Sequence, residues 1–441
     1  MIDQAVLLFD GPISEAWSPI AKHPKKILGL TIAERLILAA HRAGIGRFWI
    51  LSQEGNKPFP AWAKNHIFNK KGILIETLSP NDLAHYAAVH NGPKDHFFLI
   101  DGTVLLETAI FKRMIMSGPT AGESLVLREV SGRNEAGVIL CSPEILSMWA
   151  GLKAEDAASR PWSTFTDPII RSAKIRFVDP GGAVVLRVRS KRDVKTAERR
   201  LLQTARKPND GSFTRIMNRP ISLILSRLLL KLKVRPLQVS LVNLIIGLAS
   251  GWFIGRGTAS SFILGAILFQ TASILDGCDG ETARLTFRES RLGANMDMLG
   301  DITVMVAFFM SLPIGMYNYT LNPLYLGLGA AMILLTANYY FQISWFLRKS
   351  GTGSNIIRIV KDIQSYARAP GRISIRDWLA ARIAFAFRRD FMAFAVLALI
   401  PIGGVRIIMG MAVAECLLGS FYLTIFTRNK LKALAKEGRP E

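Results

Sequence analysis

The chain has 441 residues, of which half are hydrophobic, and it carries a formal net charge of +22. This length allows two or three domains, and three widely separated cysteines do not indicate a disulfide framework. In a soluble protein so much positive charge would suggest nucleic acid. The sequence has no recognition motif for one, so basic loops beside membrane helices, facing anionic lipid, explain the charge better, and we expect no nucleic-acid partner.

Residues 1–205 have the pattern of a soluble α/β domain. A helix is predicted at 31–43, and buried strands are predicted at 5–10, 47–52, 97–100, 124–130, 137–141, 174–178 and 183–188. Strands that alternate with helices are typical of layered α/β folds. We therefore predict a Rossmann-type α/β domain, which the later charge pattern places in the cytoplasm.

This pattern resembles the sugar-phosphate nucleotidyltransferase fold, in which the first strand leads into a glycine-rich loop. The loop position here reads FDGPISEAW, with one glycine and no arginine. Asp101 matches the first metal-binding aspartate, whereas Arg189 stands where the second is expected. Bulky loop residues keep a triphosphate away from the backbone N–H groups, and an arginine cannot ligate a cation. We therefore expect this domain to be inactive as a nucleotidyltransferase.

Residues 206–235 are predicted to form a hinge and an amphipathic helix. Apolar residues recur at helical spacing, with Arg215, Arg219, Arg227 and Lys231 between them. This pattern is typical of a helix that lies in the membrane interface.

Residues 236–428 are predicted to form an α-helical integral membrane domain with six spans, followed by a basic tail at 429–441. Apolar runs of membrane-spanning length lie at about 237–255, 259–276, 292–314, 322–347, 391–405 and 407–427. Basic residues concentrate in the second and fourth connections and in the tail. The positive-inside rule then predicts a multi-pass protein of the inner membrane, with both termini in the cytoplasm.

Four aspartates interrupt the apolar sequence where the second and third predicted spans meet. Asp276 and Asp279 are three residues apart, and Asp297 and Asp301 are four apart, so each pair lies on one face of a helix. Their carboxylates are predicted to gather at one end of a helix pair. Because only oxygen ligands are on offer, the cluster suits Mg²⁺ or Mn²⁺. Carboxylate clusters of this size commonly hold two ions about 4 Å apart.

The stretch from Asp276 to Asp301 resembles the signature of the CDP-alcohol phosphatidyltransferase family. That signature reads D-x-x-D-G-x-x-A-R, then a linker, then G-x-x-x-D-x-x-x-D. Every fixed position matches, at Asp276, Asp279, Gly280, Ala283, Arg284, Gly293, Asp297 and Asp301. Upstream, Pro236 and Ser240 stand where relatives often show P-N-x-x-T, but Leu237 replaces the asparagine, so this segment is assigned no catalytic role.

The resemblance implies a reaction in which an acceptor hydroxyl attacks the phosphorus distal to cytidine and CMP leaves. The four aspartates would hold the metal ions, Arg284 would pair with a phosphate, and Gly280, Ala283 and Gly293 would leave room for the nucleotide. All six histidines lie at or before His96, so Asp301 is expected to accept the acceptor proton. The family gives the last aspartate the same role.

The substrates are only partly predicted. CDP-diacylglycerol, or another CDP-alcohol, is the expected donor, and a small alcohol or polyol phosphate is the expected acceptor, in phospholipid biosynthesis. A homodimer in the lipid bilayer is a further expectation. Two alternatives stay open: a bifunctional cytidylyltransferase and CDP-alcohol phosphotransferase of the di-inositol-phosphate synthase type, and a non-enzymatic divalent-cation transporter.

Overall fold

The computed structural model describes residues 2–8, 26–51, 66–78, 95–128, 135–145, 161–171, 174–188, 190–206, 212–349 and 389–436. The chain divides into two compact units. Unit 1 is Met1–Ala205 with Leu285–Phe287, and unit 2 is Arg206–Arg284 with Arg288–Glu441. The segment FDGPISEAW and Arg189, on which the nucleotidyltransferase interpretation depends, lie outside the described residues.

Unit 1 contains nine described strands and five described helices. The strands are β1 Gln4–Leu8, β2 Arg47–Leu51, β3 Leu74–Leu78, β4 Phe97–Asp101, β5 Val104–Leu106, β6 Ser124–Arg128, β7 Glu135–Cys141, β8 Ile175–Val178 and β9 Val185–Arg187. The helices are α1 Ile32–His41, α2 His66–Lys71, α3 Thr108–Met116, α4 Pro161–Ile170 and α5 Lys191–Thr204. The α/β class predicted from the sequence is confirmed.

Seven of the strands form one mixed sheet in the order β3-β2-β1-β4-β7-β6-β8. Strands β3, β2, β1 and β4 run parallel, whereas β7 is antiparallel to both β4 and β6. Alternate residues of β1 pack on opposite faces: Ala5 and Leu7 join one buried core, and Val6 and Leu8 join the other. Both faces are therefore covered, which explains why the central strands are apolar throughout rather than alternating.

All regular secondary structure among the described residues of unit 2 is helical. Its helices are α6 Ser212–Ile216, α7 Asn218–Lys231, α8 Pro236–Gly255, α9 Ala259–Leu285, α10 Arg291–Thr320, α11 Leu324–Lys349, α12 Arg389–Leu399 and α13 Val405–Lys436, with a 3₁₀ turn at Ile400–Ile402. Within the described residues, four helices (α8 to α11) are long and apolar enough to cross a membrane. These four and the family match reported below indicate a membrane protein.

The predicted count of six spans is not confirmed. The fifth predicted span, 391–405, is an eleven-residue helix that ends in the 3₁₀ turn containing Pro401. The sixth lies within α13, which runs on to Lys436. The number of spans and the orientation of the termini therefore remain predictions.

Small residues let α8 approach α10 closely. A Cβ at Gly247 would lie 2.3 Å from Val304, and one at Gly315 would lie 2.1 Å from the carbonyl oxygen of Ile254. Such close contact through small residues is the usual way in which membrane helices pack. Behind this contact, Phe269 stacks on Phe308 with ring centroids 4.3 Å apart.

Helices α6 and α7 lie in the region where the amphipathic helix was predicted. The polar face of α7 points into unit 2, where Arg219 and Ser226 are buried. Its apolar face, with Ile221, Ile224 and Leu228, is exposed. An interfacial helix buries an apolar face at the boundary between head groups and acyl chains, and the exposed apolar face of α7 suits this position. The location of α7 at the membrane surface remains a prediction.

Candidate functional site

The aspartates are positioned by the end of α9 and the start of α10. Helix α9 continues through Asp276 and Asp279 to Leu285, so both residues lie on a helix rather than in the connecting link. The next helix, α10, begins at Arg291 after an N-cap at Ser290, whose Oγ accepts a hydrogen bond from the Gly293 N–H at 3.0 Å. The cap satisfies one free N–H at the start of α10 and fixes the first turns that lead to the other two aspartates.

Three of the four predicted metal ligands come together. One carboxylate oxygen each from Asp276, Asp297 and Asp301 lies within 4.8 Å of the others, and all three residues are half-buried. Asp279 lies outside this group and is almost fully buried. Three clustered carboxylate oxygens are a donor set that Mg²⁺ and Mn²⁺ prefer, so these residues fit a divalent cation.

Asp279 has a partner that the sequence analysis left without a role. The Oγ of Ser240, on α8, donates a hydrogen bond to Asp279 Oδ2 at 2.6 Å. The same hydroxyl is 3.3 Å from the Pro236 carbonyl oxygen, so the shorter contact to the carboxylate defines its position. The only sequence signal was the partial match to P-N-x-x-T, in which Ser240 takes the place of the threonine.

Arg389 is a site residue that sequence reasoning missed. Its guanidinium contacts Asp301, and its Nη1 lies 3.4 Å from Asp276 Oδ1, with the side chain only 12% exposed. Next to it on α12, Asp390 accepts a hydrogen bond from Thr214 on α6. The positive charge of Arg389 offsets the mutual repulsion of the clustered carboxylates. Its position at the end of a long basic connection was the only signal in the sequence.

Three further signature residues, Gly280, Ala283 and Arg284, lie on the last turns of α9. A Cβ at Gly280 would lie 3.0 Å from Arg284 Nη1, so the absence of a side chain leaves room for that guanidinium. Arg284 and Ala283 are both half-buried on the last turn of the helix. Arg284 therefore lies about one helical turn beyond Gly280 on the same side of α9.

Asp101 of unit 1 is already engaged by its own neighbours. Its Oδ1 accepts hydrogen bonds from the N–H and hydroxyl of Thr103 at 2.9 and 2.7 Å. Its Oδ2 lies 3.3 Å from Arg187 Nε on β9. Both carboxylate oxygens of Asp101 therefore have partners within unit 1.

Comparisons with known proteins agree with the signature. Residues 233–360 match the CDP-alcohol phosphatidyltransferase family. A protein of Aquifex aeolicus named "Bifunctional IPC transferase and DIPP synthase" is 26% identical over 346 residues, which is 71% of this chain and 77% of that protein. Proteins with the same name from Thermococcus kodakarensis and Archaeoglobus fulgidus are 29% and 34% identical over 235 and 134 residues.

These matches differ in extent. The matched region spans about half (51%) of the Thermococcus relative and 26% of the Archaeoglobus relative, and covers 52% and 30% of this chain. Among solved structures, the inositol-1-phosphate CTP transferase from T. maritima aligns with 45% of the chain at 13% identity and a TM-score of 0.35. Residues 233–360, which include the carboxylate cluster, therefore match a CDP-alcohol phosphatidyltransferase domain.

Proposed function

We propose that the membrane unit transfers a substituted phosphate group from a CDP-linked polyol to the hydroxyl of a polyol phosphate, with release of CMP. This is the di-inositol-phosphate synthase type of reaction, kept open above as an alternative, and it replaces the expected use of CDP-diacylglycerol in phospholipid synthesis. The shared name of the three relatives supports this choice of substrates. The observation that carries the reaction type is the gathering of Asp276, Asp297 and Asp301 within a matching family signature.

Each residue of the proposed site has a distinct task. Asp301 accepts the proton of the acceptor hydroxyl, which raises the nucleophilicity of that oxygen. Arg284 pairs with a phosphate of the donor, in the two-pronged geometry that guanidinium groups favour. Gly280 and Ala283 leave the nucleotide free to approach α9, while Gly293 acts at the cap of α10.

The metal ligands in this proposal are the four signature aspartates, Asp276, Asp279, Asp297 and Asp301. Divalent cations held there would supply positive charge for the pyrophosphate of the donor. Asp279 joins the other three as the ligand that Ser240 orients. We propose Mg²⁺ or Mn²⁺, because all four ligands are carboxylates and none offers nitrogen or sulfur.

Arg389 is the residue that we propose to hold the phosphate of the acceptor. Its guanidinium lies against Asp301, the proposed base, and Asp276. A phosphate bound by Arg389 would bring the acceptor beside the carboxylate that takes its proton, and such positioning is a large part of phosphoryl-transfer catalysis. This contact raises the affinity for a polyol phosphate, whereas a neutral alcohol has no phosphate for Arg389 to bind.

Nucleotide transfer by unit 1 is the second candidate function. It is favoured by the Aquifex relative, because a match to 71% of this chain must extend well beyond the membrane unit. The single glycine of the segment FDGPISEAW and the presence of Arg189 where the second aspartate is expected argue against it. We therefore propose that the chain retains the transferase half of a bifunctional enzyme, and that unit 1 serves another purpose.

The proposal is tested by measuring CMP release from purified protein with a matrix of donors and acceptors. The donors are CDP-inositol and CDP-diacylglycerol, and the acceptors are inositol phosphate, glycerol phosphate, inositol and serine. We expect CMP only with CDP-inositol and a phosphorylated acceptor, and we expect Arg389→Gln to raise KM for that acceptor. CMP release with CDP-diacylglycerol alone would refute the choice of donor, and equal turnover with inositol would refute the role of Arg389.

A further inference from the structure

A buried ion pair lies on the side of α9 that faces away from Asp279. Glu281 is completely buried, and its Oε1 accepts hydrogen bonds from Arg219 Nη1 and from Ser222 Oγ, the latter at 2.7 Å. Its Oε2 accepts a hydrogen bond from Ser226 Oγ at 2.6 Å. All three donors lie on α7, so this one carboxylate holds about two turns of that helix.

Further hydrogen bonds join α7 and α9, alongside an apolar cluster between the same helices. Gln270 Nε2 donates to Asn218 Oδ1 at 3.0 Å, and Asn218 Nδ2 donates to Ser273 Oγ at 3.3 Å. Further along, a Cβ at Gly277 would lie 3.4 Å from Arg219 Nη1. The polar row on α9 therefore runs through Gly277, directly beside the metal-ligand candidate Asp276.

The geometry of a helix connects this row to the carboxylate cluster. Successive residues are about 100° apart around the axis, so Glu281 points about 200° away from Asp279. A hydrogen-bonded row fixes the rotation of α9 about its axis more strictly than apolar packing, because each donor must keep its direction as well as its distance. The rotation of α9 decides how far Asp276 and Asp279 reach toward Asp297 and Asp301 on α10.

We propose that Glu281, held by Arg219, Ser222 and Ser226, is a positioning residue that sets the rotation of the metal-binding turn of α9. This inference rests on the proposed metal site. Glu281 touches neither substrate nor cluster, and it acts through α9. Helix α7 therefore contacts Glu281 with its polar face and exposes Ile224 and Leu228 on its apolar face. Through Glu281, the position of α7 influences the geometry of the carboxylate cluster.

The test separates positioning from simple stabilisation by using a paired substitution. Glu281→Gln alone leaves Arg219 buried beside a neutral group, so it can lower stability for reasons unrelated to position. The double variant Arg219→Met/Glu281→Met removes both charges, and such apolar replacements of buried ion pairs often fold well. Mn²⁺ affinity is measured by electron paramagnetic resonance on the full chain in detergent, alongside its thermal unfolding.

We expect the double variant to unfold near the wild-type temperature but to bind Mn²⁺ about 10- to 100-fold more weakly, the usual effect of losing groups that orient metal ligands. Wild-type Mn²⁺ affinity in the folded double variant would overturn the proposal. Should the double variant not fold, Ser226→Ala, which keeps the ion pair, must weaken Mn²⁺ binding; unchanged affinity there overturns the proposal equally.

The matched control is Glu415→Gln, which changes another largely buried acid of unit 2, on α13. We expect its Mn²⁺ affinity to equal that of the wild type. If the wild type itself shows no saturable Mn²⁺ binding, the proposed metal site fails. If the wild type binds Mn²⁺ and the double variant binds it equally well, only the positioning role of Glu281 fails.

Discussion

The hydrogen bond from Ser240 to Asp279 offers a sharp test of the site, because a single hydroxyl is removed by Ser240→Ala. The carboxylate of Asp279 is almost fully buried, so water cannot easily replace the lost donor. A hydrogen bond to a charged group contributes about 1.5–3 kcal/mol. Since each 1.4 kcal/mol corresponds to about tenfold in an equilibrium constant, we expect Mn²⁺ affinity to fall by about 10- to 100-fold.

The assay is Mn²⁺ titration of the purified chain, with CMP release at saturating metal as a second readout. Ser240→Thr keeps the hydroxyl and should bind Mn²⁺ nearly as well as the wild type. Ser250→Ala is the control on the same helix, because Ser250 is also buried but donates to the Gly265 carbonyl oxygen at 2.8 Å. If Ser240→Ala and Ser250→Ala bind Mn²⁺ equally well, Ser240 does not orient a metal ligand.

Three further predictions follow from other residues. Asp301→Asn should lower turnover by about 10²- to 10⁴-fold, the usual contribution of a positioned base, with little change in donor affinity. Asp297→Asn should instead weaken metal binding, so high Mg²⁺ should partly restore its turnover. Equal restoration of both variants by Mg²⁺ would show that Asp301 is chiefly a metal ligand. The full chain should release no pyrophosphate from CTP with any polyol phosphate, and release that depends on Asp101 would show an active unit 1. In unit 1, the hydrogen bond from Arg176 lowers the pKa of Glu123 from 4.5 to about 2. Its stabilising contribution is therefore present above pH 4.5 and is lost as the pH falls toward 2. Carboxyl ¹³C shifts, assigned with Glu123→Gln, should show this low titration, and a midpoint near 4.5 would contradict it.

Much of unit 1 was predictable because buried strands are continuous apolar runs. The predicted strands at 97–100 and 137–141 correspond to β4 Phe97–Asp101 and β7 Glu135–Cys141. Strand β5 was missed, and so was β3, which carries little apolar signal because Leu74 is exposed and Glu76 faces Trp49. Strand signals in the sequence depend on how each side chain packs against its neighbours as well as on its own residue type.

The site was predictable only where its residues lie close in sequence. The spacing of Asp297 and Asp301 places them on one face of a helix whatever surrounds it. The second span was predicted at about 259–276 from its apolar residues, yet helix α9 runs on to Leu285, and Glu281 in this extension bonds to α7. Arg389 lies 113 residues from Asp276, and only the packing of α12 brings them together. Such contacts depend on tertiary structure and leave no local pattern.

The central claim is that the carboxylate cluster transfers a substituted phosphate group from a CDP-linked polyol. The most direct measurement is CMP release from CDP-inositol and inositol phosphate by the wild type, by Asp276→Ala and Asp297→Ala, and by Glu415→Gln as the folded control. The account predicts metal-dependent release by the wild type and by Glu415→Gln, and none by either aspartate variant. Release that persists in Asp297→Ala, or in excess EDTA, would contradict it.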